Sequence, residues 1–411
     1  MEELKKPNAW LVAVDMGYGH QRAAYPLKDL ALAGKVINAN NYDGIPEKDR
    51  QIWERAKGGY EFISRLSQIP LIGKTFFYAF DRLQKIASFY PKRDLSKPNL
   101  QLKQIFSLIK KGWGKHLIDK IRSNRPLITT FFTTAFMAEF FEYPGEIYCL
   151  ATDTDISRTW VSLDPKTSRI KYFAPTDRVA ERLKLYGINP QNIFLTGFPL
   201  PEELISKEDV KNRIFNLDPQ GRYFEKYKIL IDNNLGDLPA VANHPLTLMF
   251  AVGGAGAQKE IGVQIVESLA KKDIKIILVA GTRKEVKTYF EKETKFPNVE
   301  ILFAKNKADY LQQFNQALKR TDILWTKPSE LSFYAALGLP IIIAPPVGSQ
   351  EEFNKRWLLK SGFGFEQDDP QYAHQWLFDW INKGYLAEAA MQGFVEGERS
   401  GTLNIKKIIG K

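Results

Sequence analysis

Two buried strands, each followed by a glycine-rich turn and then a helix, constrain the fold of this 411-residue chain more than any other feature. The first strand, residues 10–15, leads into the turn 16–20 (MGYGH), and the second, residues 247–252, leads into the turn 253–257 (GGAGA). A continuous apolar strand is typical of a parallel sheet that is covered on both faces. We therefore predict an α/β protein in which the second half of the chain repeats the architecture of the first.

The other apolar runs fall into two sets, which define the predicted domains. Further strands are predicted at 35–40, 127–132, 146–152, 170–174 and 193–196, and then at 275–280, 300–303, 323–325 and 340–344. The first domain is predicted to comprise residues 1–200 and the second residues 244–411, whose last helix could pack back on the first domain. Residues 201–243 are polar and have no clear period, so we expect an irregular linker or insertion there.

This chain has few cysteine and histidine residues, and its apolar runs are short, which excludes several classes of protein. Cys149 is the only cysteine, which excludes a disulfide framework and a cysteine-based metal site. The four histidines lie too far apart in the sequence for a local zinc motif. No apolar run reaches the roughly 18 residues that span a membrane, and the charged N-terminus is unlike a secretory signal. These features predict a cytoplasmic protein without a cysteine-based metal site or a local zinc motif.

Positive charge is concentrated in one segment of the chain. The formal net charge is +11, and residues 60–122 alone contain 13 basic and four acidic residues. Helical spacing in this segment separates aromatic from basic side chains, which fits an interfacial helix on anionic lipid. The alternative is a core-facing helix with a solvated basic side, and no motif for binding nucleic acid accompanies the charge. The predicted membrane contacts are Lys74, Phe76, Phe77, Phe80, Arg82, Lys110, Lys111 and Trp113.

The first glycine turn contains a candidate general base. His20 follows Gly17, Tyr18 and Gly19 and is placed at the start of a helix, at the carboxyl edge of the sheet, where α/β proteins bind ligands. The imidazolium form is disfavoured near a helix N-terminus, so we expect a neutral base at cytoplasmic pH. We expect the three residues before His20 to line the side of the site that binds the acceptor, which is the group whose proton a base at His20 would remove. The alternative is a packed or helix-capping histidine.

A second candidate group follows another predicted strand. Asp153 lies just past the strand end at 146–152, and Trp160 follows it. Asp153 could orient His20 or contact the acceptor, with Trp160 nearby. The alternative for Asp153 is helix capping.

The second glycine turn is a candidate phosphate site. The backbone N–H groups of Gly253, Gly254, Ala255, Gly256 and Ala257 can hold a phosphate or diphosphate in front of the following helix. The spacing matches neither a Walker loop nor the dinucleotide-binding pattern G-x-G-x-x-G. The alternative is a tight turn without a ligand.

Polar residues after two later strands could bind sugar hydroxyls, which need paired hydrogen-bond donors and acceptors. For Glu330 the alternative is a carboxylate in the first turn that complements the helix dipole. The residues are Thr326, Lys327, Pro328, Ser329, Glu330, Gln350 and Glu351.

In this order and spacing, the motifs resemble the GT-B glycosyltransferases that act on lipids. These are the monogalactosyldiacylglycerol synthases, the processive diacylglycerol glucosyltransferases and, more remotely, the lipid-linked N-acetylglucosaminyltransferase of peptidoglycan assembly. The resemblance runs through most of the chain and is weakest across residues 206–244. Besides the motifs above, it rests on residues 69–86, 172–179, 196–199, 281–283, 338–340 and 348–354.

The resemblance implies two facing Rossmann-like domains with a cleft between them. It also implies an inverting transfer, without metal or cofactor, from a nucleotide sugar (usually a UDP-sugar) to a lipid hydroxyl such as that of diacylglycerol. His20 would be the general base, and the glycine turn at 253–257 would hold the diphosphate. Arg283 would add positive charge as the leaving group departs, while Phe303 and Ala304 would meet the nucleotide base. Residues 326–329 and 350–351 would line the donor, and the basic segment would bring the protein to the inner face of the membrane.

One position departs from the pattern of the relatives. They place a ribose-binding Glu seven residues before the Pro of G-L-P, and here that position is Phe333. Glu330, one α-helical turn earlier, could substitute with a displacement of about 4.5 Å. Phe333 favours a relative that binds a nucleotide or lipid without catalysis. A transferase with a soluble acceptor and, with less support, a nucleotide-sugar epimerase are also compatible with the motifs. The motifs determine neither the sugar, the acceptor and processivity nor the oligomeric state.

Overall fold

The computed structural model describes residues 8–55, 86–251, 256 and 258–410, and these residues form two compact units. The first unit comprises Met1–Leu200, Gly348–Phe353 and Arg399–Lys411, and the second comprises Pro201–Val347 and Asn354–Glu398. Each unit contains a six-stranded sheet in which every pair of neighbouring strands is parallel. The predicted α/β class with two Rossmann-like sheets is confirmed.

The sheet of the first unit has the strand order β2-β1-β3-β4-β5-β6. Because β1 lies between β2 and β3, the direction in which strands are added reverses beside it, at the β1/β3 boundary. The strands are β1 (Ala9–Ala13), β2 (Ala31–Asn38), β3 (Leu127–Thr129), β4 (Ile147–Leu150), β5 (Lys171–Ala174) and β6 (Ile193–Leu195). The helices of this unit include α1 (Gly19–Ala24), α2 (Leu100–Lys110), α3 (Lys115–Lys120), α4 (Phe132–Phe140) and α5 (Asp177–Leu185).

The sheet of the second unit has the order β12-β11-β10-β7-β8-β9, so the equivalent reversal falls between β7 and β10. Its strands are β7 (Thr247–Ala251), β8 (Lys275–Gly281), β9 (Val299–Phe303), β10 (Ile323–Thr326), β11 (Ile341–Ile343) and β12 (Gly364–Glu366). The remaining helices are α6 (Lys207–Leu217), α7 (Arg222–Asn234), α8 (Lys259–Leu269), α9 (Lys284–Glu293), α10 (Lys307–Leu318), α11 (Ser349–Ser361), α12 (Ala373–Asn382), α13 (Tyr385–Glu396) and α14 (Gly401–Ile409).

The expectation of an irregular stretch at 201–243 is wrong. This stretch contains α6 and α7, and the side chain of Ser206 caps α6 by accepting a hydrogen bond from the backbone N–H of Asp209. Ile214 and Ile231 are fully buried in the core of the second unit. The short apolar faces of these helices alternate with many charged residues, which hides the helical period in the sequence.

The last helix, α14, packs in the first unit. The Thr402 hydroxyl donates to the carbonyl oxygen of Leu200 at 2.6 Å, and the Asn404 side-chain amide donates to that of Thr196 at 2.9 Å. A Cβ atom added at Gly401 would lie 2.2 Å from the carbonyl oxygen of Phe198, so only glycine fits there. The first unit therefore consists of residues from both ends of the chain.

Part of the basic segment lies among the described residues. Lys110 and Lys111 are exposed at the end of α2, whose opposite face is buried. Trp113 is only 3% exposed, and its ring packs edge-on against Trp53 at 4.8 Å between centroids. The prediction that Trp113 contacts a membrane is therefore wrong, because its indole belongs to the core of the first unit. The remaining predicted contacts (Lys74, Phe76, Phe77, Phe80 and Arg82) lie outside the described residues.

No helix in the part of the chain that the structure describes combines the length and the apolar character needed to cross a membrane.

A buried ion pair joins the loop after β4 to helix α5 in the first unit. Asp155 is 3% exposed and accepts two hydrogen bonds from Arg182 of α5, at 2.8 and 2.7 Å. The same guanidinium donates to the carbonyl oxygen of Ala87 at 2.8 Å. Bidentate geometry of this kind compensates the cost of burying both charges. Asp155 is thus a structural residue, although it stands two positions from the candidate Asp153.

We predict that Asp155→Ala lowers the free energy of unfolding by about 3–5 kcal/mol, since it leaves the Arg182 charge buried without its partner. The matched control is Glu181→Ala on the same helix, which removes exposed ion pairs with Lys92 and Lys184 and should cost at most about 1 kcal/mol. Urea unfolding of both variants measures the difference. Equal losses would contradict the structural role of the buried pair.

Candidate functional site

The candidate base lies where the strand order of the first sheet reverses. His20 is the second residue of α1, in the turn that follows β1, and its Nδ1 lies 2.8 Å from the carbonyl oxygen of Thr130, the residue after β3. Its ring also packs edge-on against Phe131, with centroids 4.9 Å apart. Ligands of α/β proteins bind outside the carboxyl ends of the strands at such a reversal. The structure therefore places His20 where the fold favours a site.

The hydrogen bond to Thr130 selects one tautomer of His20. A carbonyl oxygen can only accept, so the proton of the neutral ring must reside on Nδ1. Nε2 then carries the lone pair, which is the arrangement that a general base needs. The orienting group at Nδ1 is thus a backbone carbonyl, and the predicted orienting role of Asp153 stays a prediction.

The turn before His20 is fixed by side chains that the sequence motifs did not reveal. Gly17 has φ +93°, a conformation that L side chains rarely adopt. Upstream, Asn40 exchanges two hydrogen bonds with the backbone of Asp15, at 2.7 and 3.2 Å. Downstream, the Gln21 amide donates to the carbonyl of Val14 at 3.2 Å. Tyr18 and Gly19 complete the turn and are half-buried.

Of the two candidates after β4, Asp153 lies near the carboxyl end of the strand and Trp160 lies in the core. Asp153 is half-buried in the loop that follows β4. Trp160 is 6% exposed and packs against Phe132 at 5.1 Å between ring centroids. Its expected position beside the acceptor is not what the structure describes, because the ring fills the hydrophobic core of the first unit.

In the second unit, the described residue of the glycine turn lies beside Arg283. Gly256 has φ +72°, and a Cβ atom added there would lie 3.1 Å from Val286 and 3.4 Å from the Arg283 side chain. Only glycine therefore suits both the backbone and the space at this position. The rest of the turn, Gly253, Gly254, Ala255 and Ala257, lies outside the described residues.

Arg283 follows β8 and remains partly exposed, with 23% of its side-chain surface accessible. Its guanidinium forms an ion pair with Glu285 at 3.2 Å. On the next strand, the Ala304 amide donates to the carbonyl of Gly281 at 2.9 Å, and Phe303 is half-buried. Arg283, Phe303 and Ala304 thus lie at or just after the carboxyl ends of the neighbouring strands β8 and β9.

The loop after β10 lies at the reversal of the second sheet. The Thr326 hydroxyl donates to the carbonyl of Ala251, the last residue of β7, at 3.2 Å. Lys327, Ser329 and Glu330 are half-buried, whereas Pro328 is buried and accepts a hydrogen bond from a side chain of α11 at 3.4 Å. This loop follows β10, and the glycine turn follows β7. A ligand is expected between the carboxyl ends of these two strands.

The segment Glu330–Leu337 is a 3₁₀ helix and not the α-helix on which the displacement of about 4.5 Å was based. With three residues per turn and about 2.0 Å of rise per residue, Glu330 and Phe333 lie on the same face and about 6 Å apart along the axis. The expected displacement of 4.5 Å is thus too small. Phe333 is 4% exposed, and its ring packs against Trp357 at 5.5 Å between centroids.

Gln350 and Glu351 occupy the first turn of α11. They fall in Gly348–Phe353, the part of that helix that groups with the first unit, and Glu351 is 8% exposed. Across residues 8–55, 86–251, 256 and 258–410, no three His, Cys, Asp or Glu side chains are grouped so that they could hold a metal ion.

The structure thus contains two α/β units, with His20 after β1 in the first and Gly256 beside Arg283 in the second. No protein-family model matches the chain. In sequence, the chain is similar to processive diacylglycerol beta-glucosyltransferases. The enzyme of Bacillus licheniformis is 25% identical over 262 residues, which cover 61% of this chain and 60% of that enzyme.

Two further enzymes with the same description extend this similarity. The one from Bacillus subtilis strain 168 is 22% identical over 343 residues, covering 80% of this chain and 81% of the relative. The one from Staphylococcus aureus strain Newman is 24% identical over 269 residues, covering 64% and 61%. The matched stretch thus spans less than two thirds of the B. licheniformis and S. aureus enzymes.

Among solved structures, Acinetobacter baumannii MurG matches with a TM-score of 0.48 at 11% identity, over 98% of this chain and 99% of that one. UDP-GlcNAc 2-epimerase from Neisseria meningitidis, bound to UDP-GlcNAc, matches with a TM-score of 0.43 at 14% identity, over 83% and 89%.

We predict that neutral His20 carries its proton on Nδ1, because Nδ1 must donate to the Thr130 carbonyl oxygen. The ¹⁵N chemical shifts of the imidazole distinguish the two tautomers, and the His20→Ala variant identifies the resonances that belong to His20. A spectrum dominated by the Nε2–H tautomer would contradict the orientation of the ring.

Proposed function

We propose that this protein is a glycosyltransferase that moves a sugar from a nucleotide sugar, most simply a UDP-sugar, to a hydroxyl of a lipid such as diacylglycerol. The observation that carries the proposal is the position of His20 at the β1/β3 reversal, with Nε2 as its basic nitrogen, in a chain similar to processive diacylglycerol beta-glucosyltransferases. The proposal includes inversion at the anomeric carbon and no requirement for a metal ion or cofactor.

In the proposed reaction, Nε2 of His20 removes the proton of the acceptor hydroxyl as its oxygen attacks the anomeric carbon. The bond between that carbon and the diphosphate oxygen breaks, and the nucleoside diphosphate leaves with the electron pair. A single displacement of this kind inverts the anomeric centre. The Thr130 carbonyl continues to accept from Nδ1 when the ring becomes an imidazolium, and its dipole favours that charge. Asp153 is proposed to support the same side of the site.

The donor is proposed to bind at the β7/β10 edge of the second sheet. The glycine turn would hold the diphosphate through backbone N–H groups, and the partly exposed Arg283 would stabilise the charge that develops on it. Phe303 and Ala304 are proposed to meet the nucleotide base. Because Phe333 is buried against Trp357, we assign the ribose contact to Glu330. Residues 326–329 are proposed to complete the part of the donor site that the second unit provides.

The basic segment is proposed to bring the enzyme to its lipid acceptor at the inner face of the membrane. Lys110 and Lys111 are an exposed basic pair of this segment at the end of α2. Their charges would be attracted to an anionic leaflet over about a Debye length.

We predict that His20→Ala lowers kcat by about 10²–10⁴-fold, because the acceptor hydroxyl loses its base. The assay measures UDP release and glycolipid formation with UDP-glucose and then further UDP-sugars, using diacylglycerol as acceptor. His374→Ala, in the second unit, is the matched histidine control and should keep the wild-type rate.

Full activity of His20→Ala would contradict the assigned base. A wild-type protein that binds UDP in calorimetry but releases none from any UDP-sugar would favour a non-catalytic binding protein, to which the buried Phe333 gives some support.

We predict that the double variant Lys110→Glu/Lys111→Glu binds anionic vesicles about 30-fold more weakly or worse, since each basic residue contributes about 1 kcal/mol near such a surface. Lys271→Glu/Lys272→Glu, an exposed pair in the second unit, is the charge-matched control. Flotation with phosphatidylglycerol vesicles at low and high salt measures binding. Wild-type protein that fails to float would favour a soluble acceptor.

A further inference from the structure

We propose that Asn40 is a positioning residue for His20, acting with Asn38 and Gln21 to hold both ends of the turn that carries the imidazole. The inference rests on the proposed function for its kinetic consequence. Its structural part concerns only described residues of the first unit.

Asn40 holds the upstream end of the turn through a two-point contact. Its Oδ1 accepts from the backbone N–H of Asp15 at 2.7 Å, and its Nδ2 donates to the carbonyl of Asp15 at 3.2 Å. A carboxamide presents a donor and an acceptor side by side, which matches the N–H and C=O groups of Asp15. β2 ends at Asn38, two residues before Asn40. The hydrogen bonds between the Asn40 side chain and the Asp15 backbone therefore extend the β1–β2 pairing beyond the ends of the strands.

Gln21 holds the downstream end, directly after His20. Its side-chain amide donates to the carbonyl of Val14 and to Oδ1 of Asn38, the last residue of β2. Asn38 pairs with Ala13 in the sheet, so its own position is set by the β1–β2 ladder. The two asparagines therefore fix residues on either side of the turn 16–20 from the same neighbouring strand.

The third tie to His20 comes from the opposite neighbour of β1. Thr130 follows β3 and accepts from Nδ1, while its own N–H donates to the carbonyl of Val12 at 3.1 Å. Gly17 gives the turn a backbone conformation that most residues avoid, and a glycine adds freedom rather than restraint. Side chains and carbonyls outside the turn therefore contribute to the position of the imidazole.

A small displacement of a catalytic group is costly, because a misplacement of about 1 Å can lower a rate by about 10²-fold. We therefore expect Asn40→Ala to lower kcat by about 10–10²-fold and to leave the KM for the UDP-sugar unchanged, since the donor is assigned to the second unit. Gln21→Met, which keeps the side-chain length but loses the amide donor, should act in the same direction. The matched control is Asn192→Ala, which removes a half-buried amide-to-carbonyl bond at the amino end of β6.

Two readouts separate positioning from a merely structural role. In a double-mutant cycle with His20→Ala, Asn40→Ala should cost nothing further, because it acts through the imidazole. In ¹⁵N spectra, Asn40→Ala should shift the His20 ring away from a pure Nδ1–H tautomer, whereas Asn192→Ala should not.

A loss of kcat that persists at full size in the His20→Ala background overturns the inference, and so does an unchanged His20 spectrum in Asn40→Ala. If the wild-type protein transfers no sugar at all, the proposed function fails instead. The tautomer measurement then still decides whether Asn40 positions His20.

Discussion

One hydrogen bond, from Nδ1 of His20 to the carbonyl oxygen of Thr130, determines the chemistry available at the first sheet edge. It joins residues 110 positions apart and exists because β1 and β3 are paired in parallel, with Val12 opposite Thr129. In any other strand order, the turn after β1 would face a different carbonyl or none. The pairing of β1 with β3 thus selects the tautomer and leaves Nε2 as the basic nitrogen of the neutral ring.

The second unit repeats this geometry with different residues at the strand ends. The Thr326 hydroxyl joins the end of β10 to the end of β7, across the equivalent reversal of strand order. One loop follows each of these strands, and the loop after β7 contains Gly256, which lies beside Arg283. Backbone donors and a cation suit an anionic group, whereas a histidine with a basic nitrogen suits a hydroxyl. The two copies of one architecture therefore offer complementary chemistry.

Residues that are close together in the sequence lie in different environments in this fold. Asp153 stays at the sheet edge, while Asp155 pairs with Arg182 in the core. Trp113 likewise belongs to the core, although its basic surroundings in the sequence suggested a surface role. In each case the residue type and the local pattern allow both outcomes, and the partner that decides between them comes from a distant part of the chain.

The sequence alone determined the two glycine turns, the buried strands before them, and the candidates His20 and Gly17. Local apolar runs and glycine spacing carry that information. Tertiary structure alone decided that Thr130 selects the tautomer, that Asn38, Asn40 and Gln21 hold the turn, and that residues 201–243 form two helices. The physical reason is separation along the chain. A hydrogen bond between distant segments leaves no trace in local periodicity, and it becomes visible only when the sheet brings its two ends together.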